Sequence, residues 1–249
     1  MSEFDVLQAA DAYPEGIENG FWTLARNRLL DTTLGKPAAL RTGQGSRRIL
    51  EVGCGPGVVV GAMRDAGHDI WGVELGTPTV RDAAAPFVTT GTRAEDLDRA
   101  FRDSVDTLML LDVIEHIEND VAFLQSLLPA FPNCRCVIVT VPARQEVWSN
   151  YDEYYGHYRR YTIETLNRSL VSAGLRPVKT RYFFQSLYLA ALLINFLGQK
   201  RQVVLSPPRS VFLHRVIAKV LDVENRVFNR LPGPGLSLLS IAEIESPTP

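Results

Sequence analysis

Apolar residues fall along this chain in two rhythms. Short, little-interrupted runs at 48–53, 69–74, 106–112 and 134–141 have the length of strands buried on both faces. A weaker strand is predicted near 87–90, another at about 178–182 and a last one at 236–244. Apolar positions at helical spacing predict helices at 57–67, 78–85, 119–129 and 162–172. From residue 48 strand and helix alternate, which implies an α/β fold: a doubly wound parallel sheet with helices on both faces.

End signals sharpen some boundaries. Gly67 is placed to close the helix before it. Thr162 can accept from a free amide of the next first turn, where Glu164 suits the helix dipole. Thr165 stands where a strict capping box has Glu or Gln, so that motif is not expected. Ahead of the sheet, 1–20 reads as a polar arm, 21–30 as a helix and 35–47 as a Gly- and Pro-bearing linker. Residues 1–46 are therefore expected to form an arm and lid, and 47–249 one domain.

Two apolar stretches precede the last strand. That at 183–197 is interrupted by Gln185, Ser186 and Asn195 and is short of a membrane span. It reads as core, as a pocket wall or as a membrane-surface helix. The stretch 211–231 has apolar pairs at 212/213, 216/217, 220/221 and 227/228, with Arg215, Lys219, Arg226 and Arg230 on other faces. It packs on the domain, meets a partner chain or lies on lipid headgroups. Residues 185–231 thus form a helical insertion.

Composition narrows the class. The 249 residues suffice for one α/β domain with additions. A net charge of −2 argues against a nucleic-acid partner. Of the three cysteines, Cys134 and Cys136 share a predicted strand and so one face of it, as buried thiols of a reducing compartment. No residue set has metal-ligand spacing, so no metal is expected. The start, Met-Ser-Glu-Phe-Asp, lacks a signal peptide's basic-then-apolar run. The expectation is a cytoplasmic protein, with any membrane contact peripheral.

The chemistry centres on Glu51-Val52-Gly53-Cys54-Gly55-Pro56-Gly57. A strand precedes these glycines, a helix follows, and an acid, Glu74, lies about twenty residues on. Helix-start amides then point at whatever lies above the turn. Glu51 would repel a pyrophosphate but welcome an ammonium. The string resembles the first motif of class I S-adenosylmethionine-dependent methyltransferases. That resemblance implies a Rossmann-like, seven-stranded, mostly parallel sheet with an antiparallel last strand. It implies S-adenosyl-L-methionine as cofactor, with Glu51, Gly53, Cys54, Gly55 and Gly57 at its methionine end and Glu74 with Leu75 at its ribose. Many family members carry an Asp near the adenine where this chain has Arg93, so backbone at Arg93 and Ala94, or Glu95 or Asp96, would read the adenine.

The string Leu111-Asp112-Val113-Ile114-Glu115-His116-Ile117 is similar to the strand-four motif of ubiquinone-biosynthesis-like methyltransferases. Phe21-Trp22 with Ala25-Arg26 resembles a segment of polysaccharide- and lipid-associated members, although Gly20 stands where those often have His. Asp112 would then lie near the sulfonium or the acceptor. Residues 143–161 hold five tyrosines, one tryptophan and one histidine. Such rings can wall an acceptor pocket: Trp148, Tyr151, Tyr155, Tyr158 and Tyr161, with Arg159 or Arg160 for an acidic group. His157, His116 and Tyr154 are the candidate catalytic residues, imidazole being suited to taking a proton near neutral pH. The expected function is methyl transfer to an oxygen of a small or lipid-linked acceptor in biosynthesis. Two alternatives stay open: other chemistry on the same cofactor, releasing methylthioadenosine, and a non-catalytic cofactor-binding module.

Overall fold

The computed structural model describes residues 11–35, 48–204, 208–228 and 233–244. The expected arm over 1–10, the linker over 36–47, and Arg230 with the end of its helix lie outside the described residues. The order is α1 (Phe21–Leu34), β1 (Arg48–Val52), α2 (Val58–Asp65), β2 (Ile70–Glu74), β3 (Val88–Thr90), α3 (Arg99–Arg102), β4 (Val105–Leu111), α4 (Asp120–Leu127), β5 (Cys136–Pro142), α5 (Asn150–Tyr154), α6 (Ile163–Ser172), β6 (Leu175–Phe183), α7 (Gln185–Phe196), α8 (Val211–Phe228) and β7 (Ser237–Ile244). The strands form one sheet in the order β3-β2-β1-β4-β5-β7-β6. β7 is antiparallel to both neighbours; the other pairs are parallel.

Side chains alternate across the central strands, so each contributes to two cores. Leu50, Leu108, Leu110, Val137 and Val139 pack on one face with Leu166 and Leu170 of α6. Ile49, Met109, Leu111 and Ile138 pack on the other with Leu29 and Leu30 of α1, Met63 of α2 and Leu221 of α8. Cys134 and Cys136 do not share a strand face as the sequence implied. Cys134 precedes the strand and packs in the first core, whereas Cys136 opens the strand and packs in the second.

The predicted helix at 78–85 is absent: a turn over 82–84 leads into a 3-10 turn, Ala85–Phe87. Pro78 and Pro86 interrupt the segment, and the Arg81 amide bonds to Pro56 O, outside any helix. The segment after β5 contains a short helix, α5. The capping box at α6 does form: Thr165 Oγ1 accepts from the Thr162 amide at 2.8 Å, and Thr162 Oγ1 accepts from the Thr165 amide at 3.2 Å. A threonine hydroxyl thus supplies the acceptor that Glu usually provides.

Gly57 starts α2 with φ +79°, and a Cβ there would lie 2.6 Å from Ala84 Cβ. Gly72, on β2, is a spatial requirement, because a Cβ there would come within 2.6 Å of Cys54 Sγ. Gly72→Ala is expected to destabilise the protein by about 1–3 kcal/mol, read as a lower denaturant midpoint at unchanged slope.

Candidate functional site

The site lies above the carboxyl ends of β1, β2 and β4, where open parallel sheets bind ligands. Glu51 is 3 % exposed, and its Oε2 is buried with no hydrogen-bond partner. Burial pushes its pKa up to about 8, with Arg26 pulling the other way and Glu74 and Asp112 adding to the rise. Glu74 accepts from the Gly55 amide at 2.9 Å and the Gly76 amide at 2.8 Å, bracing the glycine turn. Its oxygens keep lone pairs for a further donor. Leu75 beside it is partly exposed. The Cys54 thiol is buried against the second core and raised by that burial. Arg93 is exposed at the start of the 3-10 turn Ala94–Asp96, with Ala94 buried and Glu95 half-buried.

Asp112 follows β4 with φ +56° and takes Arg26 Nη1 on Oδ2 at 2.8 Å and Thr140 Oγ1 on Oδ1 at 3.3 Å. The sequence marked Arg26 only as part of a resemblance and gave it no site role, although a signal was present. Thr23, Arg26, Leu29, Leu30 and Thr33 form one buried stripe of α1, so a charge lies on an otherwise buried face. Tyr13 had no local signal. Its ring lies 3.2 Å from where a Cβ of Gly55 would stand, and Arg81 Nη2 donates to the Tyr13 and Pro14 carbonyls at 2.9 and 2.8 Å. Burial raises the Tyr13 phenol, within reach of the charges on Arg26, Glu51, Asp112 and Glu74.

A second group of residues comes from the segment after β5. Asp152, fully buried, accepts from His157 Nδ1 at 2.9 Å, from Arg160 Nε and Nη2 at 2.7 and 3.0 Å, and from the Ser149 amide at 2.9 Å. Burial alone would raise its pKa, but the hydrogen bonds from His157 and Arg160 hold it below the usual value. The His157 ring packs edge-on against His116, centroids 4.6 Å apart, and 6.3 Å from Tyr151. Burial and the charge of His157 lower His116 to about 3, leaving it a weak proton acceptor. Tyr151 is raised by burial and feels Asp112 and Tyr13, which ties this group to the cleft.

Glu115, His116 and His157 offer ligand-type atoms within 4.8 Å of one another. Sequence spacing did not predict a metal set; the fold brings one candidate set together from two loops. Both Glu115 carboxyl oxygens are buried without a hydrogen-bond partner, and burial raises its pKa well above the ordinary value.

The remaining candidates separate by position. Arg160 is enclosed with Asp152, and Tyr161 is 1 % exposed with its hydroxyl donating to Asp120 Oδ2 at 2.8 Å, so both belong to the scaffold. Arg159 pairs with Asp120 at 3.3 Å, and its guanidinium lies 5.8 Å from the centroid of the exposed Tyr158 ring. The Tyr155 hydroxyl donates to Val203 O at 2.7 Å, and the Tyr154 hydroxyl donates to Asp11. Trp148 is half-buried, its carbonyl accepting from Asn195 Nδ2 at 2.9 Å. Among the sequence candidates, Tyr151, His157 and His116 converge.

Residues 20–180 match the family model described as a methyltransferase domain. A ubiquinone biosynthesis O-methyltransferase from Paracidovorax citrulli is 28 % identical over 88 residues, 32 % of this chain and 37 % of that protein. The match thus spans little more than a third of that relative. The fold resembles a SAM-dependent methyltransferase from Thermotoga maritima, with TM-score 0.55 and 15 % identity, over 98 % of this chain and 100 % of that one. It also resembles magnesium protoporphyrin IX methyltransferase from Synechocystis with bound SAH, with TM-score 0.51 and 13 % identity, over 90 % and 85 %. The chain belongs to the methyltransferase-domain family.

Proposed function

We propose that this enzyme methylates an oxygen of a small or lipid-linked acceptor, with His157 as the base. The observation that supports this most is the buried Asp152–His157 hydrogen bond beside Tyr151. When bound, the cofactor supplies an electrophilic methyl group on a sulfonium. The residues present fit it. The orphaned Glu51 oxygen offers an ammonium a partner, Arg26 a carboxylate, and Glu74 a ribose diol. Of the arm and lid expected over 1–46, the described part, residues 11–35, covers the glycine turn with Tyr13 and pairs Arg26 with Asp112.

Asp152 accepts a hydrogen bond from His157 Nδ1–H, which keeps that proton on Nδ1 and leaves the Nε2 lone pair to take the acceptor's hydroxyl proton as its oxygen attacks. The tautomer follows from the carboxylate, which can only accept. His157→Ala is expected to lower kcat about 100-fold or more while cofactor affinity, by calorimetry, stays the same. Unchanged turnover would overturn the assignment. A second reading rests on the Glu115–His116–His157 set, where a divalent cation would orient the acceptor oxygen. Loss of activity with a chelator, restored by magnesium or zinc, would favour it over the base. Peripheral membrane contact through 185–231 belongs to the lipid-linked reading.

A further inference from the structure

Large apolar side chains left in water are concentrated on the last two helices among the described residues: Phe196 is 87 % and Phe212 78 % exposed. α8 has two unlike faces. Ala218, Leu221 and Asn225 are buried, and this helix packs on α1, where His214 Nδ1 accepts from the Phe21 amide at 3.1 Å. Phe212, Val216, Val220, Val223 and Val227 are exposed. At about 100° per residue they fall within about 40° of one line along the helix, opposite the buried face. α7, joined to α8 through the Ser186 amide and Glu224, leaves Leu189 and Leu193 exposed as well.

The charges are placed to match. Arg215, Lys219 and Arg226 all lie on one flank of that apolar line, about 60–100° from its centre. From Gln185 to Phe228 there are six cationic residues and two acids, Asp222 and Glu224, in a chain of net charge −2. Both acids are engaged, Asp222 by Arg226 at 2.8 Å and Glu224 by the Ser186 amide at 3.2 Å. A second copy of the chain would bring the same cations to a shared seam with no such acids to meet them. A lipid surface takes the apolar stripe below the headgroups, while the cations snorkel to phosphates on its rim.

We propose that the exposed face of α8 docks the enzyme on an anionic lipid bilayer, with the helix lying along the surface. The proposal rests on the lipid-linked reading above and names the membrane partner of that reading. No described helix is long and apolar enough to cross a membrane.

Co-sedimentation with phosphatidylcholine vesicles, with and without phosphatidylglycerol, tests it on the full chain. Binding is expected only with phosphatidylglycerol, falling with added salt and at least ten-fold in Val220→Glu/Val223→Glu. Arg215→Glu/Lys219→Glu should lose binding too, a check should the first variant misfold. No binding, equal binding to both vesicles, or undiminished binding by both variants would overturn the proposal. So would a vesicle-free dimer that Val220→Glu/Val223→Glu dissociates. Acceptor-independent cofactor calorimetry on the same samples keeps the methyl-transfer reading separate: its loss with vesicle binding intact would count against that reading alone.

Discussion

Asp152→Ala is expected to cost about 3–5 kcal/mol of stability and to remove turnover from whatever protein remains folded. The side chain it deletes is completely enclosed, and the Arg160 side chain it pairs with is only 4 % exposed. Without the carboxylate, a guanidinium is left buried with its charge unmatched. His157 at the same time loses the acceptor that fixes its ring. A chemical melt reads the first effect and single-turnover rates the second. Asp152→Asn separates them, since it keeps the volume but can present its amide NH2 to the imidazole. The contrasting pair is Arg168–Glu164, with 68 % and 80 % of the two side chains exposed. Breaking that one is expected to leave the melt unchanged within error, because water already screens it.

Glu51→Gln is expected to weaken S-adenosylmethionine binding about ten- to a hundred-fold, the range of a lost charge-assisted hydrogen bond. It should also change the pH dependence. In the fold, burial pushes the Glu51 carboxyl up to about 8, against an ordinary 4.5. The folded protein therefore holds a proton that the unfolded chain releases. Its contribution to stability is fully present below pH 4.5 and is lost as pH rises through about 8. Affinity for the cofactor's ammonium runs the other way and rises across that window, with a proton ejected on binding. Calorimetry in buffers of different ionisation heat should show that proton for the native protein and not for Glu51→Gln. Equal heats in both would count against Glu51 as the ammonium's partner.

What the sequence revealed of this site was its local part. Ile49 to Gly57 could be read as strand, turn and helix because each element needs only its neighbours. Glu51 and Glu74 stood out as acids at strand ends. The parallel sheet also followed from the alternation of strand and helix, and the antiparallel last strand from the resemblance. Tyr13 and Asp152 were not legible, because their roles depend on contacts far along the chain: Tyr13 with Gly55 and Arg81, Asp152 with the Ser149–Arg160 loop once folded on itself. Arg160 and Tyr161 were misplaced for the converse reason. A loop rich in aromatic and basic residues looks like a pocket wall, yet Arg160 ties the loop to itself through Asp152 and the Ala143 carbonyl, and Tyr161 ties it to α4. The helix expected at 78–85 failed on its prolines, which were visible, and on the Arg81 amide's bond to Pro56, which was not.

The position of β7 bears on how the molecule is made. β6 joins the sheet only through β7, and β7 is also the neighbour of β5. During synthesis from the N-terminus, every other strand is completed before residues 237–244 emerge. Until then the fully buried run of β5 is an open edge, and β6 has nothing to pair with. A nascent chain at that stage has its cofactor strands and glycine turn in hand but an unfinished sheet on the other side of β4. Completion awaits pairings between distant parts of the sequence, the slow kind. This leaves a window in which a chaperone, or another chain's strand, could take the place of β7.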